Sequence, residues 1–175
     1  MGMIKGYDAD TLREIVDPGE CTTRLAELGD QRSLPAMLER VWLLKVLERL
    51  DEALPLSEQV VRHARMAGTR KDVLRARVLH ATVQQRRGAH PAAVAELNAC
   101  TEEADGQEWA ALSAFAHQHR AKVHFEAGDY AAARADFTRT LFLRQQTGAS
   151  DQQLESVLHA IETCDRRRTT DAVAS

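Results

Sequence analysis

Residues 125–148, FEAGDYAAARADFTRTLFLRQQTG, run from one glycine turn through an alanine-rich segment to a second glycine. This segment has counterparts upstream, because Ala53, Ala93 and Ala133 are separated by intervals of forty residues. Self-similarity at a fixed spacing of this size predicts an array of structural repeats. The same interval relates Glu48 to Gly88 and Gly128, Leu50 to His90 and Tyr130, Val41 to Ala81 and Ala121, and Val60 to Cys100 and Thr140.

Each repeat unit is predicted to contain two helices. Apolar residues such as Leu74, Val78 and Ala81 recur at steps of three and four residues, which is the spacing of one helix face. Gly88 and Gly128 stand where a helix must stop, because glycine adopts the left-handed conformation of such a stop without steric cost. We recognise no strand-like alternation, so the expected fold class is all-α. The predicted helices span residues 36–51, 54–67, 71–87, 91–104, 108–127, 130–147 and 151–166.

The two ends of the chain depart from this repeat pattern. Residues 8–16 and 20–28 predict two shorter helices separated by the turn-forming sequence DPG. Residues 1–34 are therefore expected to form an N-terminal helical cap or a degenerate first hairpin, and residues 35–166 the repeat domain. The remaining residues, 167–175, are expected to form a polar tail that frays, with a short final helix as the alternative because Val173 lies in register with Ala133.

The composition favours a helical protein without a nucleic-acid or membrane partner. Of the 175 residues, 44% are hydrophobic and 28% are charged, and one domain accommodates this length. The formal net charge of −3 provides no positive field for a nucleic-acid backbone, although residues 62–77 hold six Lys/Arg against one Asp. No stretch has the length of a membrane span or the apolar run of a secretory signal, so we expect a cytoplasmic protein.

The sequence shows no recognised catalytic or metal-binding motif. His117, His119 and His124 come nearest to a cluster, but metal ligands on one helix face need spacings of three or four residues. Neither a phosphate-binding glycine loop nor the serine elbow of hydrolases is present. Three widely spaced cysteines favour packed, reduced thiols. We therefore expect no catalytic residue, no metal and no cofactor, and hence no enzyme.

One segment of the chain carries a family resemblance. The sequence GDY at 128–130, followed by Ala133 and Phe137, resembles the second half of a tetratricopeptide repeat. The resemblance covers residues 35–166, and its forty-residue period exceeds the thirty-four of the ordinary repeat. It is similar to the longer variety found in bacterial regulators and signalling ATPases. This implies a right-handed α–α superhelix of antiparallel helical hairpins, with about three repeats plus caps, whereas a plain helical bundle or another helical-hairpin solenoid is the alternative architecture.

The resemblance also implies where a partner binds. In such an array the first helix of each hairpin lines a concave groove, and its exposed positions supply the partner contacts. Trp42 and Phe125 are equally consistent with packing between helices, so their exposure stays open at this point. The expected partner-binding groove consists of Trp42, Lys45, Arg75, Thr82, Gln85, Arg86, Gln118, Lys122, Phe125 and Glu126.

The sequence leaves three functions open. The first is a non-catalytic scaffold or adaptor that binds a protein or peptide in the groove, where basic side chains select an acidic or backbone-rich ligand. The alternative is a regulatory sensor that binds a small signal peptide or metabolite in a closed pocket. The third is an enzyme that uses the histidines of residues 108–127. The exposed ends of a short array also favour a homodimer formed through those ends.

Overall fold

The structure is a computed structural model that describes residues 3–174. This part of the chain is helical apart from one small antiparallel sheet, so the predicted all-α class is confirmed. Its two strands and eight helices are β1 (Ile4–Tyr7), β2 (Glu14–Val16), α1 (Pro18–Leu28), α2 (Leu34–Val46), α3 (Leu50–Ala67), α4 (Arg70–Arg86), α5 (His90–Gly106), α6 (Ala110–Glu126), α7 (Tyr130–Gln146) and α8 (Asp151–Ala174).

The forty-residue period of the sequence is also a period of the structure. Helices α3, α5 and α7 begin at Leu50, His90 and Tyr130, and each preceding helix ends four residues earlier. The order of buried, half-buried and exposed residues is identical in 51–60 and 91–100. The first two repeats therefore place the same positions of α3 and α5 against the core.

The chain divides into two compact units. The first comprises residues 3–8 and 12–89, and the second comprises residues 9–11 and 90–174. In the first unit α2 packs against α1, α3 and α4, and α3 packs against α4. In the second unit α6 packs against α5 and α7, and α7 packs against α8. Fully buried apolar side chains fill the space between these helices, among them Val41, Val60, Leu74, Val83, Leu97, Val123, Phe137 and Val157.

The turns between α2 and α3, α4 and α5, and α6 and α7 share one backbone conformation. Glu48, Gly88 and Gly128 have φ angles of 56°, 78° and 82°, which lie in the left-handed region. The predicted helix stops at the two glycines are confirmed. Glu48 adopts the same conformation without being glycine, and so does Glu108 in the turn before α6, with φ 54°. A residue with a Cβ is strained there, so the repeat geometry imposes these turns against local preference.

Replacing Glu108 by glycine is expected to stabilise the protein. The left-handed penalty of a glutamate exceeds the extra chain entropy of glycine, so Glu108→Gly should raise the free energy of unfolding by about 0.5–1 kcal/mol. Gly128→Ala should lower it by about 1 kcal/mol, although nothing lies within 4 Å of the added Cβ. Urea unfolding of each variant measures both effects.

Gly106→Ala is the control for Gly128→Ala. Gly106 is the last residue of α5, and its φ lies outside the left-handed region. An alanine there should therefore be neutral or stabilising, because alanine has the higher helix propensity. Equal destabilisation by Gly106→Ala and Gly128→Ala would contradict the assigned backbone strain.

The predicted helix over residues 8–16 is wrong. These residues contain the turn and the second strand of a hairpin, in which Ile4 pairs with Val16 and Tyr7 with Glu14. Leu12, with φ 58°, is left-handed and so cannot continue a right-handed helix. The predicted helix over 20–28 is confirmed as α1.

The sequence DPG, predicted as a turn between helices, is the start of α1. The Asp17 side chain accepts a hydrogen bond of 2.9 Å from the Glu20 backbone N–H, and Pro18 occupies the first helical turn. Proline fits this position because its missing N–H would have no partner within the helix. Asp17 therefore joins β2 directly to α1, without an intervening loop.

Two helix boundaries also differ from those expected. The break between the helices of the first repeat lies at residues 47–49, and Pro55, near which it was predicted, lies inside α3. The tail from 167 onward, expected to fray, continues α8 to Ala174, whereas residue 175 lies outside the described part. Thr169 and Thr170 donate hydroxyl hydrogen bonds to carbonyls one turn earlier, so these polar residues are satisfied within the helix.

Candidate binding face

The ten residues predicted to form a groove lie on three helices in two units. In the first unit Lys45 and Arg86 are brought together, although they come from different helices. Both contact Glu14 of β2, a side chain that no sequence pattern singles out. The first unit holds Trp42 and Lys45 on α2 and Arg75, Thr82, Gln85 and Arg86 on α4, and the second unit holds Gln118, Lys122, Phe125 and Glu126 on α6.

Glu14 binds both basic side chains with one carboxylate. Its Oε1 lies 3.4 Å from Lys45 Nζ, and its Oε2 lies 3.1 Å from Arg86 Nη2. The exposed fractions of the Lys45, Arg86 and Glu14 side chains are 3%, 8% and 9%. Three charged side chains from β2, α2 and α4 are therefore nearly withdrawn from water in one contact, which we call the Glu14 cluster.

A fourth charged group borders the Glu14 cluster on its solvent side. Glu48 Oε1 lies 2.5 Å from Arg86 Nη1, and the Glu48 side chain is 56% exposed. Arg86 thus divides its two terminal nitrogens between a buried and an exposed carboxylate. Removing one member of a buried ion pair leaves its partner desolvated and unpaired, which costs about 3–5 kcal/mol. The cluster therefore holds together only as a set.

The other predicted residues on α4 take different positions. Thr82 is buried and donates its hydroxyl hydrogen to the Leu79 carbonyl at 2.7 Å, within its own helix. Gln85, 7% exposed, is also buried. Arg75 is exposed and pairs with Asp72 at 3.4 Å in the first turn of α4. The structure therefore does not place Arg75 in the Glu14 cluster.

Trp42 lines a separate pocket of the first unit. The pocket has a volume of about 600 Å³ and is mainly apolar. At its edge Arg24 and Glu39 form a two-pronged ion pair, with 2.7 Å from Nε to Oε1 and 3.0 Å from Nη2 to Oε2. The hydrogen bonds from Arg24 lower the pKa of the Glu39 carboxyl. The lining residues are Met3, Ile4, Arg24, Pro35, Glu39 and Trp42.

The four predicted residues of the second unit are packed among its own side chains rather than exposed. Phe125 is 5% exposed and its ring meets that of Tyr130 edge-on, with centroids 5.2 Å apart. Gln118 accepts a hydrogen bond from Arg144 Nη2, and Glu126 Oε2 lies 3.5 Å from His90 Nε2, while Lys122 is 9% exposed. Phe125 is therefore a core residue that packs between helices, which is one of the two roles that its sequence position leaves open.

A second polar cluster, in the second unit, was missed by the sequence analysis. His117 contacts a carboxylate with each ring nitrogen, Nδ1 to Asp136 Oδ1 at 2.8 Å and Nε2 to Asp105 Oδ2 at 3.1 Å. Arg120 donates two further hydrogen bonds to Asp136, at 2.8 and 2.7 Å, and the Ser113 hydroxyl donates to Asp105. Spacing along a single helix does not reveal this cluster, because the two carboxylate partners of His117 come from the neighbouring helices α5 and α7.

Hydrogen bonding dominates the electrostatics of this cluster. Burial raises the pKa of Asp136, but the hydrogen bonds from Arg120 and His117 outweigh burial and lower it overall. Burial likewise raises the pKa of Asp105, and the bonds from Ser113 and His117 bring it below its ordinary value. Both carboxylates are therefore held in the charged form, which suits a structural tie between α5, α6 and α7.

The described residues supply neither a metal centre nor a membrane span. Within residues 3–174, no group of three or more His, Cys, Asp and Glu side chains could hold a metal ion. Across the same residues no helix combines the length and the apolar character needed to cross a bilayer. No protein-family model, curated protein or solved structure matches the chain. The function is therefore argued from the geometry of its own side chains.

Asp136→Asn is expected to destabilise the second unit in a pH-dependent way. The lowered pKa values mean that stability from the carboxylates is present above their unfolded-state pKa, near 4, and is lost as the pH falls through the folded-state values. The variant should lose about 3 kcal/mol at pH 7. This difference should shrink on acidification to about pH 3.

Thermal and urea unfolding at both pH values measure this effect. Asp51→Asn is the control, because Asp51 pairs with Arg87 at 2.8 Å but is 98% exposed. An exposed pair contributes at most about 1 kcal/mol. Equal losses in the two variants, or a loss in Asp136→Asn that does not change with pH, would contradict the proposed tie.

Proposed function

We propose that this chain is a non-catalytic module that binds a protein or peptide, and that its binding face is formed by α2 and α4 around Lys45 and Arg86. The forty-residue spacing of helix starts supports an array of helical hairpins. In this proposal the hairpins belong to a right-handed superhelix of the tetratricopeptide type, in which the first helix of each hairpin carries the ligand contacts.

The Glu14 cluster is the observation that carries the proposal. Apolar side chains of similar size at these positions would pack without any cost of desolvating charges, and buried ion pairs are often less stabilising than such replacements. A fold that keeps Lys45 and Arg86 beneath its surface therefore departs from what stability alone favours. Departures of this kind are expected at functional sites.

The nature of the contact indicates what the face binds. Glu14 belongs to an extended strand, and its carboxylate accepts from one lysine and one arginine on two neighbouring helices. Charge-assisted hydrogen bonds of this type are stronger than neutral ones and fix the ligand in position. An acidic side chain on an extended segment is thus the ligand chemistry that fits Lys45 and Arg86.

The Trp42 pocket favours a second candidate function, a sensor for a small ligand. Its volume of about 600 Å³ lies within the range typical of small-molecule sites. Its apolar wall and the paired Arg24 and Glu39 side chains suit a compact, mainly apolar molecule with one polar edge. Such a ligand should raise the melting temperature of the wild type and not that of a Trp42→Ala variant.

A capture experiment tests the leading proposal. The triple variant Glu14→Met, Lys45→Met, Arg86→Met replaces the three charged side chains of the Glu14 cluster together by apolar ones of similar size, a change that folds commonly tolerate. A partner retained from native lysate by the wild type should be lost by this variant. Circular dichroism confirms that both proteins have the same helix content.

The control removes two basic residues from another surface. Arg62 and Arg65 lie exposed on α3, and Arg62→Met, Arg65→Met changes the net charge by two without touching the Glu14 cluster. This control should keep the partner. Retention of the same partner by the triple variant would contradict binding at α2 and α4.

A further inference from the structure

We propose that the β1–β2 hairpin is a built-in competitor for this binding face, and that an acidic, extended segment of the partner binds by taking the place of Glu14. This inference rests on the proposed function and adds its regulation. In the described state the chain's own strand supplies the carboxylate that the partner would supply. Binding then requires the hairpin to leave the face.

The burial of the two basic side chains makes this exchange necessary. Lys45 and Arg86 are 3% and 8% exposed, so an incoming carboxylate cannot reach them while Glu14 is in place. Arg86 Nη1 is held by Glu48, while Arg86 Nη2 and Lys45 Nζ contact the Glu14 carboxylate. A ligand at this face must therefore replace the Glu14 carboxylate.

The hairpin is short and its strand register is irregular. Its strands have four and three residues, and their register is interrupted between Ile4 and Gly6. Isolated two-stranded hairpins are at best marginally stable in water. Ile4 and Ile15 are 36% and 48% exposed, whereas Leu12 between the two strands is buried at 3%. The charged contact of Glu14 therefore closes the hairpin together with the apolar packing of Leu12.

The geometry favours a single carboxylate over a phosphate group as the replacement. One carboxylate spans Lys45 and Arg86 with its two oxygens, and the neighbouring Glu48 carboxylate repels additional negative charge. A doubly charged phosphate would place more negative charge beside Glu48 than Glu14 does. An extended segment with an isolated glutamate matches β2 in both backbone form and charge.

The test uses a short, threonine-rich peptide with one central glutamate, and the same peptide with glutamine in its place. Both are titrated into the full chain and into Glu14→Gln, with Kd from calorimetry and amide exchange rates for residues 4–7 and 14–16. Weakening the internal competitor raises the population of the open state, so Glu14→Gln should bind the glutamate peptide at least about tenfold more tightly. Binding to the wild type should speed exchange in both strands.

Glu58→Gln is the matched control. Glu58 lies exposed on α3, outside both the hairpin and the Glu14 cluster. This variant should bind the peptide as the wild type does. If Glu14→Gln and Glu58→Gln unfold at different temperatures, the exchange rates of α2 and α4 amides show whether the face itself is intact.

The outcomes separate the inference from the proposed function. Equal affinities of wild type and Glu14→Gln, with strand amides that stay protected in the bound state, would overturn the competitor, whereas loss of a captured partner by the triple variant alone would still support binding at α2 and α4. No binding to either protein, or equal binding of the glutamine peptide, would overturn the acidic ligand and with it the proposed function at this face.

Discussion

The contact of Glu14 with Lys45 and Arg86 is the constraint on which the first unit depends. Once three charged side chains are withdrawn from water, each is stable only while the others are in place. The contact joins residues that are 31 and 72 positions apart and so fixes the N-terminal hairpin to α2 and α4. The same contact places an acidic strand on the face that we propose for binding.

Much of the fold could be predicted because helix stops are local. Gly88 and Gly128 mark turns through their own conformational freedom, and the starts of α5 and α7 follow at fixed distances. The N-terminal strands could not be predicted in this way. Residues 4–7 and 14–16 are too short for a recognisable alternation, and their position depends on partners on α2 and α4 that no local pattern reveals.

The candidate site was predictable in part. Register along the repeat singled out Lys45 and Arg86, and the structure brings their charged ends to one carboxylate. Register could not reveal Glu14, which lies outside the repeats, nor the burial of Phe125. The second unit shows the same limit, because His117 finds Asp105 and Asp136 on other helices. Sequence spacing predicts which face a residue occupies, whereas its charged partner depends on how the helices pack.

A double-mutant cycle between Glu14→Gln and Arg86→Met measures whether Glu14 binds Arg86 in solution. The free energy of unfolding of the wild type, both single variants and the double variant gives the coupling between the two side chains, free of their separate effects. We expect a favourable coupling of about 2 kcal/mol, as for a buried charge-assisted hydrogen bond. A coupling near zero would show that Glu14 does not bind Arg86 in solution, and would contradict both the binding face and its built-in competitor.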